Sequence, residues 1–181
     1  MLARRLLGCR LVTMVRGVRA SGLIVEVEAY LGVGDPACHA ARGMTRRNAV
    51  MFKDAGHCYV YFIYGMYHCV NVVSDPEGIG SGILIRAVEP SEGIAVMRRR
   101  RRGADIGNLA RGPGKVCQSF AISSSFSGEH FATSRRIWIE PFLEYATSEV
   151  GVSGRVGISA GADMPLRLFV RGSPWVSGRR S

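Results

Sequence analysis

Two aromatic, β-branched runs on either side of a glycine fix the first element of this chain. Cys58-Tyr59-Val60-Tyr61-Phe62-Ile63-Tyr64 leads into Gly65-Met66 and then Tyr67-His68-Cys69-Val70-Asn71-Val72-Val73. Such runs pair as strands, and Gly at the first central position of a two-residue loop suits a type II′ turn. The spacing predicts a β-hairpin with Tyr64 and Met66 at its tip. Turn residues are ordinarily small or polar, so an aromatic and a methionine at a tip ask for something apolar to meet.

A second strand is written in Leu23-Ile24-Val25-Glu26-Val27-Glu28-Ala29-Tyr30. Its period of two places Glu26, Glu28 and Tyr30 on one face and Leu23, Val25, Val27 and Ala29 on the other. Ile83 to Val88 reads as a further strand ending at Glu89-Pro90, with Ser91 capping a helix toward Arg98. Asp35-Pro36 has the form of an N-cap followed by Pro at the first helical position, predicting a short helix that carries Cys38 and His39. Arg46 to Lys53 predicts another short helix. Gly112-Pro113-Gly114-Lys115 predicts a turn opening a helix whose N-terminus suits a phosphate; it lacks the spacing of a nucleotide P-loop. Late strands are expected at residues 136–140, 155–159 and 166–170, with residues 128–154 rich in loops. The fold class is α+β: a largely antiparallel sheet with peripheral helices. At 181 residues the chain fits a single compact domain, 1–181.

The candidate chemistry lies on the glutamate face. Two carboxylates at i and i+2 of a strand point the same way, and in a cleft one can act as a general base. Taken alone, the segment reads better as an exposed strand face with ordinary surface glutamates. Arg86 and Asn71 interrupt otherwise apolar strands, and a buried arginine needs an anion, for which Glu26 or Glu28 is placed. Five of the six tyrosines fall between Tyr30 and Tyr67; they build either a core or a stacking pocket for a flat ligand. The histidines His39, His57, His68 and His130 form no metal-ligand motif, so no metal is expected and each is read as a lone structural residue. No nucleophile elbow is present.

Net charge is +10, and Lys53 and Lys115 are the only lysines among 24 Lys and Arg. That balance favours anionic partners and disfavours a cationic substrate. Arg98 to Arg102 reads as a solvated, mobile loop. Five cysteines without a C-x-x-C argue against a disulfide framework or zinc site, and for a reducing, cytoplasmic setting. No apolar run is long enough to span a membrane. Residues 1–20 hold five arginines and no acid, as organellar transit peptides do. The scarcity of serine and the regular apolar spacing favour a short helix at residues 3–7.

Beyond these readings the chain resembles a known family. Glu26-Val27-Glu28-Ala29-Tyr30, Asp35-Pro36-Ala37-Cys38-His39, Thr45-Arg46-Arg47-Asn48 and Tyr59-Val60-Tyr61-Phe62-Ile63-Tyr64-Gly65-Met66 are followed by Asn71 and Leu84-Ile85-Arg86-Ala87-Val88-Glu89-Pro90. Then come Gly112-Pro113-Gly114-Lys115, Arg155-Val156-Gly157 and Gly172-Ser173-Pro174-Trp175-Val176-Ser177. In this order and spacing they resemble the alkyladenine (3-methyladenine, methylpurine) DNA glycosylases, over about residues 2–177.

The resemblance implies a monomeric, cofactor-free base-excision-repair enzyme acting on damaged double-stranded DNA, nucleoid-associated if bacterial. It implies a curved sheet with a protruding hairpin whose Tyr64, with Met66 beside it, intercalates where a nucleotide has been flipped out. By position, Glu28 matches the general base that activates water; Arg86 and the carbonyl of Val156 match its partners. Tyr30, His39 and Tyr61 match the residues enclosing the base, and Asn71 the residue that excludes guanine's exocyclic amine. Arg47 and Lys115 are expected at the DNA backbone. The implied reaction is hydrolysis of the N-glycosidic bond of alkylated purines: 3-methyladenine, 7-methylguanine and, with more dependence on pocket shape, hypoxanthine and ethenoadenine. With neither lysine in the pocket segments, no strand cleavage is expected. The competing readings are a non-catalytic nucleic-acid-binding module and a formyltransferase-like relative with small-molecule chemistry. Base release separates the first from the enzyme; a purpose for the apolar hairpin tip separates the second.

Overall fold

The structure is a computed structural model and describes residues 2–178. Eight antiparallel strands form one sheet that curls into a half-barrel. Its strands are β1 (Arg10–Val15), β2 (Val18–Tyr30), β3 (Cys58–Ile63), β4 (Tyr67–Val72), β5 (Gly82–Glu92), β6 (Ile137–Glu140), β7 (Val150–Ser153) and β8 (Arg167–Val170). They run β3-β4-β5-β2-β1-β6, with β8 pairing with both β2 and β7. Three helices, α1 (Leu2–Leu6), α2 (Ile94–Arg100) and α3 (Pro113–Phe120), lie at the periphery. The main core gathers Leu11, Ile24, Val27, Val70, Ile85, Met97, Val116 and Phe120, all fully buried.

At 13 residues β2 is the longest strand and organises the sheet. β5 pairs with it from Ser21 to Tyr30 on one side; on the other, β1 covers Val18 to Leu23 and β8 covers Glu26 to Glu28. Its alternation does not run uninterrupted. Ile24 faces Val88 and Glu26 faces Ala87, which leaves Val25 unopposed; Val27 then faces Ile85, which leaves Arg86 unopposed. Two compensating bulges, one on each strand, re-aim the side chains beside them. Leu23 and Val25 therefore join a small cluster with Ala87, Val170 and Trp175, while Val27 and Ala29 face the main core. The expected grouping of Leu23, Val25, Val27 and Ala29 on one face is thus corrected: the bulge flips the parity between Val25 and Val27.

The predicted hairpin is β3–β4, but its turn differs from expectation. Ile63 pairs with Tyr67, and the Met66 N–H reaches the Ile63 carbonyl. The central residues are Tyr64 and Gly65, at φ 53° and 64°. Positive φ at both positions is the type I′ sign, not the II′ sign expected for Gly65-Met66. The β1–β2 hairpin turns the same way at Arg16-Gly17 (φ 51° and 74°), an element the arginine-rich start concealed.

Other expectations are corrected. No helix follows Asp35. Its carboxylate caps the Leu31 and Ala37 N–H groups and pairs with Arg155, and the chain through Cys38 and His39 runs as successive turns. Residues 46–53 hold only a 3₁₀ turn, Ala49–Phe52. α2 starts after Gly93 rather than Ser91, because β5 continues through Pro90 to Glu92 and the Ser91 hydroxyl bonds Ser21. Arg98 to Arg102 is the end of α2 and its C-terminal turn, not a mobile loop: Arg100 and Arg101 reach Ser119 and Gln118 on α3. Residues 155–159 form no strand, whereas β7 lies within the stretch expected to be loop. His57 and His130 are not solitary but pair across an isolated bridge, ring centroids 5.0 Å apart, close to Asp54. Both nitrogens of His130 already engage backbone groups, Ala55 O and Ala132 N, so this cluster brackets two loops.

Candidate active site

The second half of β2 lies between β5 and β8 and carries Glu26 and Glu28, both fully buried. Arg86, on the β5 bulge, spans them: Nε donates to Glu26 Oε1 at 3.0 Å and Nη1 to Glu28 Oε2 at 3.1 Å. Glu26 also accepts Arg167 Nε at 2.7 Å, the Ser177 N–H at 2.6 Å and the Ser177 hydroxyl at 2.9 Å. Counting Arg86, Glu26 accepts from four donors, three on Oε1 and one on Oε2, and Arg86, Arg167 and Ser177 enclose it. Glu28 differs. Oε1 accepts the Val156 N–H at 2.7 Å, and Oε2 accepts Arg86 and the Tyr30 hydroxyl, each at 3.1 Å. A carboxylate offers about four acceptor sites, so one is left. Arg86 Nη1 also donates to the Val156 carbonyl at 3.3 Å. Glu28, Arg86 and Val156 O thereby converge on one point.

That point adjoins a cavity of about 510 Å³ lined by tyrosines 30, 59, 61, 64 and 67 together with His39, Asn71, Arg86 and Val156. His39 stands edge-on to Tyr61, centroids 4.5 Å apart, and its Nδ1 meets the Tyr59 hydroxyl at 3.1 Å. Partial burial, then the Arg47 charge, lower the His39 pKa and favour the neutral ring. Asn71 donates to the Tyr59 carbonyl at 3.1 Å, which fixes its amide at the cavity wall. Burial pushes the Tyr59 phenol up to about 12 and raises Tyr30 and Tyr61 as well, so all three present neutral aromatic faces. The cavity can hold a flat, electron-poor ring against tyrosine faces, next to a carboxylate with one acceptor site open.

The family profile of the methylpurine-DNA glycosylases (MPG) matches residues 1–174. The chain belongs to this family. Similar proteins include ones provisionally named 3-methyladenine DNA glycosylase from Chlorobaculum tepidum (45% identical over 178 residues, 98% of this chain and 85% of the relative) and Methanoculleus marisnigri (46% over 179 residues, 98% and 92%). A third, from Mesorhizobium japonicum, is 44% identical over 180 residues, covering 99% of this chain and 86% of the relative. This methylpurine-DNA glycosylase is a DNA-repair hydrolase of the 3-methyladenine type.

Of the remaining expected residues, Tyr64 and Lys115 line the cavity, whereas Met66 and Arg47 are not among its lining. Tyr64 and Met66 stand at the hairpin tip, 76% and 62% exposed. Arg47 is exposed and donates to the Phe62 carbonyl of β3 at 3.1 Å. Lys115 is in the first turn of α3, its amine bonded to Asn108. Burial, then the Arg101 and Arg111 charges, lower its pKa. Contrary to the expectation that neither lysine approaches the pocket, Lys115 lines the cavity, as does Arg101 from the arginine run. α3 comes this close because Gly114 sits flat on Tyr67, where an added Cβ would meet the ring at 3.0 Å. The sequence pattern assigned no site role to Arg167, Ser177, Asp35 or Arg155. Ser177 closes the Gly172–Ser177 motif and Arg167 lies in the strand expected at residues 166–170, and both gain a function only where Glu26 meets them. Among the described residues, no helix is long and apolar enough to cross a membrane.

Proposed function

We propose that this protein extrudes an alkylated purine from duplex DNA into the tyrosine-lined cavity and hydrolyses its N-glycosidic bond with water activated by Glu28. The observation that carries this reading is the convergence of Glu28, Arg86 Nη1 and the Val156 carbonyl beside the cavity. Water hydrogen-bonded to the open acceptor site of Glu28 attacks C1′ of the deoxyribose. The C1′–N bond breaks, its electron pair leaves with the base, and the water proton passes to Glu28. Positive charge accumulates on the sugar in the transition state, and the carboxylate stabilises it. Alkylation at N3 or N7 makes the base cationic, so it departs neutral without an acid.

Tyr30, His39 and Tyr61 enclose the base, and Asn71 excludes the guanine amino group. Tyr64 fills the gap left in the duplex with Met66 beside it, and Arg47 and Lys115 hold backbone phosphates. The substrates are 3-methyladenine and 7-methylguanine, with hypoxanthine and ethenoadenine more dependent on pocket shape. The enzyme is monofunctional and acts as a monomer. Lys115 lines the cavity, where Asn108 holds its amine and Arg101 lies nearby, a grouping of cations that suits a backbone phosphate. The test is release of 3-methyladenine from methylated duplex DNA; salt-dependent binding without release would leave a binding module instead.

A further inference from the structure

The loop that supplies Val156 has no strand ladder to hold it. It lies between β7 and β8, outside regular secondary structure. The residue before Val156 takes over that task. The Arg155 guanidinium donates to Asp35 through Nη1 (2.6 Å, Oδ2) and Nη2 (2.7 Å, Oδ1), and both side chains are fully buried. Nη1 also donates to the Ala29 carbonyl at 3.0 Å, and Nη2 to the Gly161 carbonyl at 3.3 Å. Its Cζ lies 4.6 Å from the centroid of the Tyr30 ring. Asp35 is fixed in turn by the N–H groups of Leu31 and Ala37, both at 3.1 Å.

One side chain thus joins the end of β2, the turn after it and its own loop. Its anchors adjoin the reacting centre. Ala29 stands between Glu28 and Tyr30, and Arg155 precedes Val156, whose N–H holds Glu28 and whose carbonyl accepts Arg86. A bidentate fork sets direction as well as distance, which a lysine ammonium cannot do.

We infer that Arg155, locked by Asp35, is a positioning residue for hydrolysis: it holds the Val156 backbone against Glu28 and Arg86 and backs the Tyr30 ring. This rests on the proposed glycosylase reaction. A buried pair serving stability alone would predict a variant that melts earlier but, once folded, reacts normally. A positioning residue predicts a slower chemical step with DNA binding intact, since misplacement of about 1 Å can cost about 10²-fold.

The experiment compares the full-length protein with Arg155→Lys, which keeps the charge and loses the fork, well below both melting temperatures. A duplex with a tetrahydrofuran abasic analogue reports binding without a base to stack. Single-turnover release of 3-methyladenine at saturating enzyme reports chemistry. The expected result is an abasic-site Kd within about twofold of the parent and a release rate lower by about 10- to 100-fold. Asp35→Asn, which keeps Arg155 and removes its anion, replaces the first variant if that one does not fold, with the same split expected. A release rate within about threefold of the parent, or rate and binding falling together, overturns the inference. A parent that releases no methylpurine at all overturns the proposed function itself, so the two failures are distinguishable.

Discussion

Arg86 Nη1 donates to both Glu28 Oε2, at 3.1 Å, and the carbonyl of Val156, at 3.3 Å. This one nitrogen joins a β2 side chain to a loop 128 residues along the chain. Arg86 can do so because the β5 bulge leaves it unopposed and its Nε is held by Glu26. Arg86→Lys retains the charge and loses the fork, so release of 3-methyladenine should fall by at least about tenfold with little change in abasic-site binding. Single-turnover kinetics at saturating enzyme measure the first, and fluorescence anisotropy the second.

Tyr64 is a non-glycine residue at φ 53° on an exposed tip. The left-handed conformation costs an L side chain about 1 kcal/mol or more. Tyr64→Gly should therefore leave stability equal or raise the melting temperature by about 2–4 °C. It should also abolish the ethenoadenine fluorescence change that reports base extrusion. Calorimetry and fluorescence on the same sample check both. A lower melting temperature would contradict the strain, and undiminished extrusion would contradict the wedge.

The five arginines at the end of α2 should behave as two classes. Arg98, Arg99 and Arg102 are exposed, whereas Arg100 and Arg101 are tied to α3. Replacing the exposed three with alanine should leave stability within about 0.5 kcal/mol. Each of these that meets a phosphate adds about 0.9 to the slope of log K against log salt. Lys115→Ala should lower that slope by about the same increment, and Arg100→Ala should lower melting temperature instead. Titrations across a salt series separate the classes.

Stability should fall in acid and in alkali for different residues. Burial alone would raise the Asp35 carboxyl, but hydrogen bonds from Arg155 and from the Leu31 and Ala37 N–H groups outweigh it and hold its pKa below the ordinary value. As pH falls, the unfolded chain takes this proton first, near about 3.9. The stabilisation is therefore present above that pH and lost as pH falls through the lower folded value. Tyr59 is the reverse: burial pushes it up to about 12, so its stabilisation holds below about pH 10 and is lost as pH rises through about 12. Asp35→Asn should flatten only the acid arm and Tyr59→Phe only the alkaline arm, measured by urea unfolding across pH.

Lys115 also allows a check on strand cleavage. Borohydride traps a Schiff base between an amine and an abasic aldehyde. No covalent protein–DNA product should form. A product that disappears in Lys115→Ala would show that this amine reaches the sugar.

The β3–β4 hairpin was legible because its aromatic and β-branched runs flank a glycine. Its turn was not: Ile63 pairs with Tyr67, so the loop is Tyr64-Gly65-Met66 rather than two residues, and the flanking runs do not say which of the three take positive φ. The shared face of Glu26 and Glu28 followed from a period of two. The bulges at Val25 and Arg86 did not, because a bulge is a property of two paired strands. Arg86 was expected to pair with Glu26 or Glu28 and meets both. Asp35-Pro36 carries a helix-start signal that a contact 120 residues distant overrides: the carboxylate that would cap a helix is bound to Arg155. That pair and the Glu26–Arg167–Ser177 network lie on segments brought together only by the curled sheet. β7 is four residues long and includes a glycine, too little pattern to read. The family resemblance supplied what local pattern could not, because it compares whole-chain order.

The most direct test of the account is Glu28→Gln. The amide keeps the size of the side chain but cannot take the water proton. Single-turnover release of 3-methyladenine from methylated duplex DNA should fall by about 10²- to 10⁴-fold, with the circular dichroism spectrum and abasic-site binding retained. Release at the parental rate by the folded variant would contradict the assignment of Glu28 as the base that activates water.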